Sequence, residues 1–211
     1  MKDINIGFIG LGNVGSKLAN RLLINDYNLF IHDLEKEKGM KLLKNGATWE
    51  NNIKTLSENC TVIITCLPSP DAVLEVILGN YGLIQYINKK HLWIEMSTTD
   101  ENQMKKLTKK IELKGAEVLE SPVTGGAHRS VTGNLAVLAA GKRKTFVRAL
   151  PILSEIGYEI LYCGKIGNAS TLKVVTNYLA SINLLSLGEA LMVCKKYGLD
   201  LKTVYQGIRI S

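Results

Sequence analysis

Ile4-Asn5-Ile6-Gly7-Phe8-Ile9-Gly10-Leu11-Gly12-Asn13-Val14-Gly15 decides the fold, read together with Asn28-Leu29-Phe30-Ile31-His32-Asp33 further on. An apolar run of strand length enters a Gly-x-Gly-x-x-Gly turn, a helical pattern follows, and a second apolar run ends in an acid. Gly10 permits a tight turn out of the strand, Gly12 lets the backbone approach a pyrophosphate, and Gly15 lets the helix lie against the sheet. The positive end of that helix offers unpaired N–H groups to phosphates. Asp33 stands eighteen residues past Gly15, where a carboxylate accepts hydrogen bonds from ribose hydroxyls. A dinucleotide site is therefore expected on Gly10, Leu11, Gly12, Asn13, Val14, Gly15 and Asp33, with NAD favoured over NADP. An acid after a strand is also a common helix cap, and Asp33 can serve either way.

Outward from this unit, apolar runs alternate with helical patterns, as in a parallel sheet with crossover helices. Strands are expected at 60–68, 91–95, 116–119, 135–139 and 158–162, and helices at 69–78, 101–114 and 143–156. Ser97-Thr98-Thr99 is read as the cap of the helix that starts near Glu101. From about Asn168 to Tyr197 the pattern becomes one long helical run, followed by a short segment at 201–210. The expected fold is α/β, a Rossmann-type doubly wound, mainly parallel sheet over residues 1–164, followed by the start of an all-helical substrate and dimerisation domain over 165–211. One long helix and a short one cannot close a core of their own, so this second part is expected to be truncated.

Composition agrees with a cytoplasmic enzyme. The 211 residues are 46% hydrophobic and 21% charged, enough for a sizeable core without disulfides. Cys60, Cys66, Cys163 and Cys194 show no metal spacing, and a reducing compartment is the simplest reading. The glycine-broken N-terminus is not a signal peptide, and no uninterrupted apolar run is long enough to span a membrane. The net charge of +7 comes from dispersed lysines without interleaved aromatics, which argues against nucleic acid and suits anionic substrates and cofactor.

Four blocks, in order, carry a family resemblance over nearly the whole chain. They are Gly7 to Gly15; Thr65-Cys66-Leu67-Pro68 with Glu95-Met96-Ser97-Thr98; Ser121-Pro122-Val123-Thr124-Gly125-Gly126 with Gly133 and Leu135; and Gly164-Lys165-Ile166-Gly167 with Lys173 and Asn177. The sequence resembles the β-hydroxyacid dehydrogenases, the family of 3-hydroxyisobutyrate dehydrogenase and tartronate semialdehyde reductase, with 6-phosphogluconate dehydrogenase more distant. The resemblance implies that the third block binds substrate through Ser121, Thr124, Gly125 and Gly126. It also implies that Lys173 is the catalytic residue, with Asn177 orienting the substrate.

These roles are chemically sensible. Lys173 and Asn177 are four residues apart in a helical stretch and share one face. Partial burial would lower the lysine pKa towards that of a working acid/base, although taken alone it is one lysine among many. Thr124-Gly125-Gly126 can form a nest of N–H groups for a carboxylate, or an ordinary turn. Leu67 and Pro68 end a strand at the edge where cofactors lie, and Ser97 and Thr98 can bond the nicotinamide end or cap a helix. His128 and Arg129 add positive charge at the site mouth or are solvated loop residues.

The expected activity is NAD-dependent oxidation of the 3-hydroxyl of a small hydroxy acid to a semialdehyde or keto acid, or the reverse, by a homodimer or homotetramer at full length. A 6-phosphogluconate-type oxidative decarboxylase and a truncated dinucleotide-binding protein without catalysis are the alternatives. Departures from the family pattern are Ala169 in place of the last glycine of Gly-x-x-Gly-x-Gly, Thr176 where relatives often have asparagine, and the end of the chain at Ser211.

Overall fold

A computed structural model describes residues 2–125 and 134–210; Gly126, His128, Arg129 and Gly133 lie outside the described residues. The chain forms two compact units, Met1–Lys173 and Val174–Ser211.

The first unit is built on one sheet of β1 (Lys2–Ile9), β2 (Tyr27–His32), β3 (Thr48–Trp49), β4 (Val62–Thr65), β5 (Leu92–Glu95), β6 (Glu117–Glu120), β7 (Val123–Thr124), β8 (Ala136–Gly141) and β9 (Glu159–Gly164). The strand order is β3-β2-β1-β4-β5-β6-β8-β7, with β9 also pairing β8. Every pair from β3 to β6 is parallel, as is β8 with β9, whereas β8 runs antiparallel to β6 and β7. An antiparallel join needs no crossover helix, in keeping with the absence of a helical pattern in the sequence between β6 and β8.

Alternation along each strand sends neighbouring residues to opposite faces. Phe8, Ile64 and Ile94 pack with α1 (Gly15–Ile24) and α6 (Arg143–Ile156) on one face. Ile9, Ile63 and Trp93 pack with α3 (Ile53–Asn59), α4 (Pro70–Leu78) and α5 (Glu101–Leu113) on the other. The strands therefore read as continuous apolar runs because both faces are covered.

Two details depart from the sequence reading. Between Leu34 and Asn59 it assigns no element, yet the chain forms a 3-10 turn at Lys36–Gly39, α2 (Met40–Lys44), β3 and α3. Such short helices have little intrinsic stability and are held by buried anchors, here Leu42 and Leu56. The cap of α5 is Asp100, not Ser97-Thr98-Thr99: its carboxylate accepts from Gln103 N at 2.9 Å. A capping side chain must stand immediately before the first helical residue to reach the free amides.

In the second unit, the long helix α7 (Asn168–Lys196), which begins in the first, continues to Lys196 and is followed by α8 (Leu201–Ile210). Val204 is buried, but Leu184, Leu185, Met192 and Val193 are exposed. By length and a mean hydropathy of 1.2 over eighteen residues, α7 is apolar enough to cross a membrane. The expectation from uninterrupted apolar runs misses this, because averaging tolerates the interspersed asparagine and serines.

Candidate dinucleotide and catalytic site

The glycine turn has the form its sequence requires. Gly10 adopts a φ of +96°, and a Cβ there would collide with the Cys66 carbonyl oxygen; a Cβ on Gly15 would meet the Gly10 carbonyl oxygen. Gly12 differs, since a Cβ there would have nothing within 4 Å. Gly10 and Gly15 are thus demanded by the protein's own packing, whereas Gly12 leaves an open cradle that only a ligand would fill. Helix α1 continues the same design. Asn52, Ser69 and Asp100 cap α3, α4 and α5 with side-chain oxygens, but Val14 at the start of α1 supplies no side-chain cap. Ser16 N and Lys17 N already donate to the Gly12 and Val14 carbonyl oxygens, at 3.1 and 3.0 Å, so the entry to the helix at Gly15 is what it offers to an anion.

Asp33 joins this turn to the ribose end. Its Oδ2 accepts from Leu11 N at 2.7 Å and its Oδ1 from Glu35 N at 3.0 Å. Lys38 Nζ lies 3.7 Å from Asp33 Oδ1 and 2.8 Å from Glu35. A cavity of about 720 Å³ runs past Gly10, Gly12, Asn13, Asp33, Leu67 and Pro68, and Val14 and Gly15 also line it. The volume and the open Gly12 cradle suit a dinucleotide. Leu11, expected at this site, is not among the residues lining the cavity: its side chain is buried and its N–H is donated to Asp33. Glu35, Lys38, Asn80 and Tyr81 line the same cavity, although none has a sequence signal of its own.

At the carboxyl edge of the sheet a buried polar chain fixes the second block. Trp93 Nε1 donates to Thr65 Oγ1 at 2.8 Å, Thr65 Oγ1 donates to Glu95 Oε2 at 2.5 Å, and Ser97 N donates to Glu95 Oε1 at 2.6 Å. Ser97 Oγ in turn accepts from Leu67 N at 2.8 Å. The Ser97 hydroxyl therefore holds the Leu67-Pro68 turn in place, while Thr98 is exposed. Burial pushes the Glu95 carboxyl up to about 7, against the opposing pull of its bonds from Ser97 and Thr65.

The third block follows β6. Ser121 is fully buried, and its hydroxyl has no hydrogen-bond partner among the described residues. Thr124 is half-buried and pairs with Ala136, and Gly125 is exposed with a φ of +119°. In the fourth block, Lys173 is half-buried near the start of α7, and burial lowers its ammonium pKa from the ordinary value. Asn177 lies one turn further along α7, is exposed and belongs to the second unit. Ala169, where the family pattern has glycine, packs with Leu138 and Ala140 and still donates its N–H to Glu120 at 3.0 Å. Among the described residues no cluster of His, Cys, Asp and Glu could hold a metal.

Known proteins share sequence and fold with this chain. Residues 5–164 match the family described as the NAD binding domain of 6-phosphogluconate dehydrogenase, and residues 167–211 match that described as NAD-binding of NADP-dependent 3-hydroxyisobutyrate dehydrogenase. The rat mitochondrial 3-hydroxyisobutyrate dehydrogenase is 32% identical over 206 residues, which are 98% of this chain and 62% of the rat protein. The oxidoreductase YkwC of Bacillus subtilis is 31% identical, with 96% of this chain and 70% of YkwC covered. The chain belongs to the β-hydroxyacid dehydrogenase family. Among solved structures, Psf3 in complex with NADP+ and 2-OPP superposes with a TM-score of 0.89 at 28% identity, over 95% of this chain and 71% of that one. The first unit of this β-hydroxyacid dehydrogenase relative is accordingly a nicotinamide-dinucleotide-binding domain. The apolar helix α7 falls within the second matched segment. The chain spans about 62% of the length of the rat enzyme.

Proposed function

We propose that the protein is an oxidoreductase that oxidises the 3-hydroxyl of a small hydroxy acid to the semialdehyde or keto acid, or runs the reverse reaction, with NAD preferred. The half-buried Lys173 carries this reading: a lysine whose pKa is lowered by burial, on a helix that starts beside the strand leading into Ser121 and Thr124. NAD, when bound, supplies the hydride acceptor. Gly10, Gly12 and the uncapped start of α1 would hold its pyrophosphate, and Asp33 its ribose. The neutral Lys173 amine takes the hydroxyl proton as the alcohol is oxidised. Thr124, Gly125 and Gly126 hold the substrate carboxylate, Ser121 has a buried hydroxyl with hydrogen-bonding capacity to spare, and Asn177 orients the substrate.

The preference for NAD rests on Asp33, whose carboxylate is placed to accept from the ribose hydroxyls, while Lys38, set against Asp33 and Glu35, is the cation at the same end. The neighbour bound to NADP+ makes the opposite preference the natural control. Substrate classes separate in one experiment: NADH or NADPH formation by the purified protein with a panel of 3-hydroxy acids, 6-phosphogluconate and a blank. Turnover with NAD and a simple hydroxy acid is expected, rising with pH as Lys173 loses its proton. Preferred turnover of 6-phosphogluconate, with release of carbon dioxide, would replace this reading with the decarboxylase. A second reading, dinucleotide binding without turnover, draws on the exposed apolar residues of the second unit, and NADH binding with silence across the panel would establish it.

A further inference from the structure

Glu120 is the last residue of β6 and is fully buried. Its Oε1 accepts from Gly167 N at 2.6 Å and from Ala169 N at 3.0 Å, and its Oε2 accepts from Ser170 Oγ at 2.6 Å. Ser170 Oγ also lies 3.3 Å from Thr99 Oγ1. Because the Ser170 proton is committed to the carboxylate, Thr99 is the donor of that second bond. The three groups that Glu120 accepts from occupy the lead-in and first turn of α7. Asn52, Ser69 and Asp100 cap their helices from the adjoining residue, but this carboxylate reaches α7 from 47 residues away in sequence from Gly167.

The position of this bond is what gives it meaning. Directly after Glu120 comes the proposed substrate motif, which begins at Ser121 and includes Thr124 and Gly125, and one turn beyond Ala169 and Ser170 stands Lys173. We propose that Glu120 is a positioning residue: its carboxylate clamps the first turn of α7 to the end of β6 and so fixes Lys173 relative to the substrate motif. This rests on the reading of Lys173 as the proton-transfer group. An anionic side chain at a helix N-terminus is favoured by the helix dipole, and three donors satisfy a charge that burial alone would penalise. Burial raises the Glu120 carboxyl pKa and these bonds oppose the rise. A change of one methylene in the clamp shifts the lysine by about 1 Å, and a displacement of that size costs about 100-fold in rate.

Glu120→Asp, Glu120→Gln and Ser170→Ala in the 211-residue protein test this, read by kcat, KM, NADH affinity and amide hydrogen exchange at Gly167 and Ala169. Glu120→Asp is expected to lower kcat about 100-fold while the Kd for NADH stays within about twofold, since the cradle at Gly12 is untouched. Exchange at Gly167 and Ala169 is expected to quicken about tenfold or more. Glu120→Gln keeps the length, accepts the two N–H bonds through its amide oxygen and donates to Ser170 Oγ, so kcat is expected within about threefold of wild type. A wild-type kcat in Glu120→Asp would overturn the proposal, as would a loss of NADH affinity as large as the loss of kcat. If Glu120→Asp does not fold, Ser170→Ala decides: a drop in kcat of about threefold to tenfold supports the clamp, and an unchanged kcat sinks it. Should the wild type turn over no substrate, the reading of Lys173 fails on its own. Exchange then decides the clamp, which is wrong if Gly167 and Ala169 stay protected in Glu120→Asp.

Discussion

Residues 1–173 and 174–211 are both rich in large apolar side chains, and they do opposite things with them. In the first unit Phe8, Ile64, Trp93 and Leu107 are within 1% of complete burial, enclosed between sheet and helices. In the second, Leu184 is 72% exposed and Met192 73% exposed. Helix α7 carries apolar residues on every side, the pattern of a helix meant to be surrounded rather than to lie on a surface. Apolar content alone therefore does not make a core; burial needs a partner face, and the sheet supplies one twice over. The same contrast sorts the candidate site. The groups that are buried and bonded, Glu95, Ser97 and Glu120, belong to the sheet unit, while Asn177 is an exposed residue of the helical one.

The contrast is broken most forcefully by truncating one side chain in each unit. Phe8→Ala is expected to cost about 3–5 kcal/mol in denaturant unfolding, because a packed core cannot refill the space. Leu184→Ala is expected to stay within about 0.5 kcal/mol. Equal losses would mean that the second unit has a core of its own. A second test uses pH. The folded pKa of Glu95, about 7, lies above its ordinary value of 4.5, so the folded state favours the protonated form. That contribution is complete below about pH 4.5 and is lost as pH rises towards 7, on the order of 3 kcal/mol. Unfolding free energies measured from pH 4.5 to 8 should show that decline, and Glu95→Gln should flatten it. The smallest of the three separates the glycines. Gly15→Ala is expected to lower the melting temperature, whereas Gly12→Ala should leave it within about 2 °C and weaken NADH binding about tenfold or more, about 1.4 kcal/mol. Loss of stability in Gly12→Ala would show that its cradle belongs to the protein's own packing.

The sheet, its parallel order up to β6 and the two-faced core are legible in the sequence because long apolar runs, glycine turns and helical periods all agree there. The segment 34–59 is not, because α2 and α3 are too short to show a period and exist through contacts with distant residues. The cofactor side of the site is legible in Gly10, Gly12 and Asp33, whose spacing is local. Glu95 and Glu120 are not legible. An acid at the end of an apolar strand reads as an edge residue, and only folding brings Gly167, Ala169 and Ser170 to Glu120. Ser97 shows the same limit: its hydroxyl oxygen accepts from Leu67 N, a partner thirty residues back that no spacing rule supplies.

The most direct test of the account lies at Lys173, the last residue of the sheet unit. Single-turnover NADH formation from a 3-hydroxy acid should be compared in the wild type and Lys173→Ala, with NADH affinity measured in parallel. A fall in rate of about 100-fold to 10,000-fold at unchanged NADH affinity is the predicted result. An unchanged rate in Lys173→Ala would contradict the account, because the proton would then be leaving the substrate by another group.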